Sequence, residues 1–261
     1  MKRCVEVVTT KSSEVSLVHV GCSGWVYRHW REVYYPAGLP QKQWFPHYSA
    51  EFDTVEINAS FYRLPLPTTF DAWQAKAPDA FHYAVKVNRF ITHNKKLLDV
   101  AEPVTQFCKL VRRLGPHAGP LLHQLPPGLH RNDERLAAYL ALLPTDLEHV
   151  VEFRHVSWYN EAVLGLLDRQ GVGFVAHDLA GLASPRWASG RTAYVRFHGT
   201  GGKYWGRYSP EAMAEWAVWL DEQKRSGRSC WAYFNNDIHG HALEDARELK
   251  RALATLGGEA R

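Results

Sequence analysis

The most informative alternation of apolar and polar residues lies in Asp53-Thr-Val-Glu-Ile-Asn-Ala-Ser-Phe-Tyr-Arg-Leu-Pro65. Val55 and Ile57 alternate with Thr54, Glu56 and Asn58, the period of a β-strand. The apolar face must pack on something, and the other face then carries a carboxylate and an amide into an interior. A carboxylate so placed is costly unless it is paired or used. The pattern recurs in Val150-Val-Glu-Phe-Arg154 and Tyr194-Val-Arg-Phe-His198. In each, an apolar strand carries polar groups on one face near its C-terminal end. A closed barrel of parallel strands accounts for this, because the C-terminal rim of such a barrel is where chemistry is built.

The rest of the chain supplies the alternation that a barrel needs. Strands are expected at residues 17–22, 54–58, 81–86, 120–124, 149–154, 173–177, 192–198 and 230–235. Helices are expected at 39–51, 68–76, 103–114, 132–143, 160–170, 209–225 and 243–256, with Asn132 and Ser209 as N-caps and Pro210 at a first helical position. The Gly/Ala/Ser-rich link 178–191 predicts a weak or missing helix after strand six. Strands alternating with helices imply parallel strands and crossover connections. The fold class is therefore α/β, a single TIM-type (β/α)8 barrel over residues 17–256, between a polar leader (1–16) and a short tail (257–261). A doubly wound sheet is the rival, but Gly21-Cys-Ser-Gly24 lacks the glycine spacing of a dinucleotide-binding turn.

A length of 261 residues with 46% hydrophobic content suits one domain of barrel size. A net charge of +4, spread along the chain, permits an anionic ligand without requiring nucleic acid. Four cysteines without metal or redox spacing, no signal-type start and no membrane-length apolar run point to a cytoplasmic protein. Oligomeric state is not legible. Among the ten Trp, Trp25, Trp158 and Trp205 fall in expected loops, where they could stack on a ligand.

At the barrel rim the strand ends would gather Glu56, Asn58, Lys86, Gln124, Glu152, Arg154, Arg196, His198, Asn235 and Asn236, with Tyr62, Arg63, His93, Trp158, Lys203 and Tyr204 on the following loops. Glu56 and Glu152 are the acid/base or nucleophile candidates. The cations nearby would keep them ionised and so disfavour a general-acid role. His198 could move protons near neutral pH. The competing reading of these groups is a set of Glu–Arg bridges that only holds the rim together. The loop 199–208 leaves strand seven, a common phosphate site in barrels, with Lys203 and exposed amides as anion donors. Asp237, His239 and His241 are the weak case for a divalent metal, and no cofactor is expected.

Seven ordered motifs carry a resemblance to a known family. They are Val20-Gly-Cys-Ser-Gly-Trp25, Thr54-Val-Glu-Ile-Asn58 with Phe61-Tyr-Arg-Leu-Pro65, Phe81-His-Tyr-Ala-Val-Lys86 with Ile91-Thr-His93, and Gln124-Leu-Pro-Pro127. Glu152-Phe-Arg-His155 with Ser157-Trp158, Tyr194-Val-Arg-Phe-His-Gly199, and Phe234-Asn-Asn-Asp237 complete them. Together they resemble the YecE-like family, also called the domain of unknown function 72 family. The resemblance implies a TIM-type barrel and no particular activity. Ala59 stands where that family usually has a small hydroxyl residue, Asp245 where it often has Asn, and His239 and His241 fall outside its pattern.

The expectation is an enzyme of hydrolase or lyase type acting on a polar or anionic small molecule at the rim. A glycosidase-like version would hold its two carboxylates about 5 Å or about 6.5–9.5 Å apart. The alternatives are a nucleic-acid-binding protein using the basic, Trp-rich rim, and a barrel that binds a ligand without turning it over.

Overall fold

The structure, a computed structural model, describes residues 18–179, 181–202 and 204–258. The expected leader over 1–16 and the position of Lys203 lie outside them. Eight strands close in sequence order into one parallel barrel. They are β1 (Val18–Cys22), β2 (Thr54–Ile57), β3 (His82–Lys86), β4 (Ala118–Gln124), β5 (His149–Glu152), β6 (Gly173–His177), β7 (Thr192–Phe197) and β8 (Ser229–Phe234).

The helices are α1 (Trp44–Ser49), α2 (Ala59–Tyr62), α3 (Pro67–Lys76), α4 (Ala101–Val111), α5 (Asp133–Leu140), α6 (Glu161–Arg169), α7 (Pro210–Arg225) and α8 (His241–Gly258). Among the described residues no helix follows β6, as the glycine-rich link predicts. Asn132, Asn160 and Ser209 cap α5, α6 and α7 by accepting from the amides of Arg135, Ala162 and Ala212. Several expected helices are shorter, α5 among them, ending at Leu140. Residues 41–43 form a 3-10 turn before α1, and α4 ends at Val111 in another 3-10 segment that holds Gly115 and Pro116. The one-turn α2 and a π-turn over Phe90–Asn94 carry no periodicity a sequence could show. No described helix is long and apolar enough to cross a membrane.

Alternation divides the strands between two cores. Val55, Ile57, Val85, Leu121, Val151, Phe174, Val195 and Phe234 face outward into the layer under the helices. Ala84, Leu122, Val150, Val175, Tyr194, Trp231 and Tyr233 fill the barrel lumen. Above that apolar plug, toward the C-terminal end, the inward positions turn polar. The β1–β2 ladder is thin, with a single Cα pair, Cys22 and Val55. The Tyr48 hydroxyl repairs it by accepting from the Cys22 amide at 2.8 Å and donating to the Thr54 carbonyl at 2.9 Å. Gly21 makes the room, since a Cβ there would lie 2.2 Å from Thr54 O and 3.0 Å from the Tyr48 hydroxyl.

Candidate active site

The polar layer at the C-terminal end is one connected ionic chain. Arg196, from β7, forks between two carboxylates. Its Nε and Nη2 donate to Glu56 at 2.9 and 2.7 Å, and its Nη1 donates to Glu152 at 2.7 Å. Glu56 also accepts from Ser23 at 2.8 Å, Asn58 at 3.1 Å and Tyr194 at 2.7 Å. Glu152 takes a second cation, the Arg154 guanidinium, through Nε. Arg154 Nη2 then donates to His198 Nε2 at 2.9 Å. Glu56, Glu152 and His198 are fully buried, and Arg196 is 1% exposed.

This arrangement corrects the roles expected for three residues. Burial alone would push the Glu56 carboxyl up, but Arg196, Tyr194 and Lys86 hold it below the usual carboxylate value. Burial likewise opposes Glu152, and Arg154 and Arg196 bring it well below. Five hydrogen bonds saturate Glu56, and two charged donors hold Glu152 ionised, so neither has a proton to offer a substrate. One guanidinium lies between the two carboxylates and hydrogen-bonds both. His198 is pushed down to about 4, first by burial and then by Arg196 and Arg154, against its contact with Asp178. Its Nε2 lone pair accepts from Arg154, so it is a neutral positioning group and not a proton shuttle.

Lys86 behaves differently. It ends β3, is 8% exposed, and its Nζ lies 4.3 Å from the Phe61 ring centroid. Among the described residues it makes no ion pair and no hydrogen bond. Glu56 and Glu152 are paired with the guanidiniums of Arg196 and Arg154, and no carboxylate is paired with the Lys86 ammonium. Burial first, then Arg196 and Arg154, against Glu152 and Glu56, bring it down to about 7. Its backbone is held in place: Lys86 O accepts from the Ser60 hydroxyl at 2.6 Å, and Val87 N donates to Leu122 O at 2.9 Å.

Phe61 is the hub of this corner. Its ring also meets the half-buried His93 at 4.9 Å and the exposed Arg89 at 6.0 Å. His93 is pushed down to about 4 by burial, Lys86 and Arg89, so it is neutral at pH 7. Arg89 was absent from the expected site residues. The run Lys86-Val-Asn-Arg89 offered a signal, a second cation directly after a strand end.

The other expected residues divide. Asn58 stands beside Glu56 with its Oδ1 buried and unpartnered. Gln124 and Asn235 are half-buried at their strand ends. Tyr62 is 71% exposed and Arg63 is also exposed, both outside the ionic chain. Asn236 is structural: it is fully buried and donates to Gly206 O and to Asp245 at 2.8 Å each. Trp158 is likewise corrected. It is fully buried, stacks on Phe153 at 4.8 Å and donates to Leu129 O at 2.7 Å, so it packs the core and cannot stack on a ligand. Trp205 is 48% exposed, and Trp25 packs half-buried on Phe45.

The loop after β7 is less open than an anion cradle needs. The amides of Gly199, Gly201 and Tyr204 bond to Tyr208 Oη, Trp205 O and His198 O. Gly199 has φ +97°, and a Cβ there would fall 2.2 Å from Trp205 O. Gly199→Ala is therefore expected to lose more than about 2 kcal/mol of stability, read from its urea midpoint. Asp237 faces His29 at 3.1 Å, and His241 faces Glu244 at 3.8 Å. Among the described residues no three His, Cys, Asp or Glu side chains converge as metal ligands.

A cavity of about 660 Å³ lies at the opposite, N-terminal end, between the segments entering β5, β6 and β7. Among its charged residues, Asp146 pairs with Arg112, and two others serve the backbone and neighbouring hydroxyls. Asp168 accepts from Gly190 N at 2.7 Å, and Glu148 accepts from Thr192 and Ser229. That end of a barrel reads as stability, and the chemistry-bearing groups stand at the other end.

Comparison with known proteins agrees with this architecture. A family profile described as "Protein of unknown function DUF72" matches residues 19–260. The UPF0759 protein YunF of Bacillus subtilis is 25% identical over 271 residues, covering 91% of this chain and 95% of the relative. The UPF0759 protein YecE of Escherichia coli is 26% identical over 144 residues, covering 55% of this chain and 50% of the relative. The crystal structure of a DUF72 family protein from Thermotoga maritima superposes with a TM-score of 0.83 at 28% identity, covering 91% of this chain and 99% of the other. A DUF72 family protein from Enterococcus faecalis shares the fold, with a TM-score of 0.78 at 17% identity. The closed eight-stranded barrel and a profile match running from β1 through α8 agree: the chain belongs to the DUF72 family.

Proposed function

We propose that the C-terminal mouth of the barrel is an active site for a small anionic molecule, with Lys86 as its working group. One observation carries this reading: Lys86, 8% exposed, has no carboxylate paired to its ammonium, while Glu56 and Glu152 beside it are held by Arg196 and Arg154. A fold gains nothing from such a charge by itself. An anion entering the mouth would neutralise it, with Arg154 and the exposed Arg89 as further donors. Of the two reaction types expected, a lyase fits better than a hydrolase, because both carboxylates that could activate water are held by guanidiniums and Glu56 has its acceptor sites filled. The ionic chain below then positions Arg154 and walls off the lumen.

The test is a thermal-shift and calorimetric screen with inorganic phosphate, pyruvate and a short single-stranded oligonucleotide, on wild type, Lys86→Met and Arg154→Gln. Phosphate or pyruvate is expected to raise the wild-type Tm and to lose most of that effect in both variants. No shift with either anion, or a shift unchanged in both variants, would remove the small-anion reading. Salt-sensitive binding of the oligonucleotide alone would replace it with the nucleic-acid alternative.

A further inference from the structure

We propose that Lys86 Nζ is a nucleophile that condenses with the carbonyl carbon of a small carbonyl compound bearing a carboxylate or phosphate, forming an imine, while Arg154 and Arg89 hold the anionic group. The inference rests on the anion-site reading and extends it to a covalent step.

The geometry matches what an imine-forming lysine requires. The amine must be uncharged when the carbonyl arrives, dry enough to stay so, and fixed in direction. Lys86 is buried at a strand end whose backbone is tied by Ser60, and its Nζ rests over the Phe61 face instead of in a carboxylate's grip. The charged groups that act on it most form a compact set. Glu56 stands on β2, Glu152 on β5 with Arg154 after it, Arg196 on β7, and Arg89 and His93 on its own following segment. Arg196 and Arg154 oppose a third positive charge, and neither carboxylate touches the ammonium. A desolvated lysine beside other cations is the arrangement that exposes a neutral amine near pH 7.

The chemistry balances with water as the only by-product. The nitrogen lone pair forms a C–N bond as the carbonyl π pair moves onto oxygen. That oxygen takes up the proton lost from nitrogen, giving a carbinolamine. The C–O bond then breaks, and the hydroxyl leaves as water with one proton from solvent. The product is an iminium that can draw electrons from an adjacent C–C or C–H bond. Half-buried His93, neutral at pH 7, stands on the same Phe61 ring and can accept a proton released there.

Reductive trapping tests the step. The whole protein is incubated with pyruvate, or separately with dihydroxyacetone phosphate, together with cyanoborohydride, and the adduct is located by peptide mass spectrometry. Labelling is expected at Lys86, about tenfold or more faster than at exposed Lys42, Lys95 and Lys96 at neutral pH, because burial and the neighbouring guanidiniums disfavour protonation of Lys86. The Lys86 rate should rise with pH through about 7 and then level. Lys86→Arg, which keeps the charge but cannot condense, should lose that adduct while retaining a cooperative melt. Adducts confined to exposed lysines, with either compound still raising Tm, would overturn the imine and leave the anion site. No adduct and no Tm shift would overturn both.

Discussion

Arg196→Ala is expected to cost the fold about 3–5 kcal/mol, because it removes the one guanidinium hydrogen-bonded to both buried carboxylates. Arg196 is the only described side chain that reaches both Glu56 and Glu152. Glu152 would keep Arg154, whereas Glu56 would keep only neutral donors. The pH dependence should then reverse in sign. In the wild type both carboxyls titrate below the unfolded value near 4.5, so their contribution is complete above that pH and is lost as pH falls toward the folded values. In the variant, burial without Arg196 raises Glu56 above its unfolded value, and the fold should gain stability as pH drops from about 7 to about 5. Denaturation midpoints across that range measure both effects. A variant that keeps the wild-type pH profile would mean that Arg196 does not set the charge state of the layer.

Lys86→Met should have the opposite effect and stabilise the protein by about 2–4 kcal/mol near pH 6. The folded value of Lys86, about 7, lies below that of an unfolded lysine, so protonation favours the unfolded chain. The penalty is complete below about pH 7 and fades as pH rises toward about 10.4, where the unfolded amine also loses its proton. The gain from Met should therefore be largest at acidic pH and vanish near pH 10. A buried residue whose removal strengthens the fold is retained for another reason, and the stability difference is the signature of a working group. If Lys86→Met is instead less stable than wild type at pH 6, the ammonium is a structural part of the layer, and the proposed function loses the observation that carries it.

Much of this protein was legible in one dimension. The period-two runs around Val55, Val151 and Val195 determined which residues face the helices and which face the lumen, because side-chain direction in a strand follows from pleating alone. Caps at Asn132 and Ser209 marked helix starts through local hydrogen bonds. The glycine-rich stretch after His177 implied a weak or missing helix, and among the described residues none follows β6. Pairing was not legible. That one guanidinium 140 residues from Glu56 and 44 from Glu152 would bind both follows from the stagger of neighbouring strands around a closed barrel. Trp158 sits in a short loop segment, and only the packing of Phe153 and Leu129 around it shows that it is core. The sequence by itself thus determined the barrel, its membership in the DUF72 family and the end where ionisable groups collect. The tertiary structure alone decided which of those groups neutralise one another and which one, Lys86, is left over, because charge balance in a dry interior is set by distances between strands that the chain order does not contain.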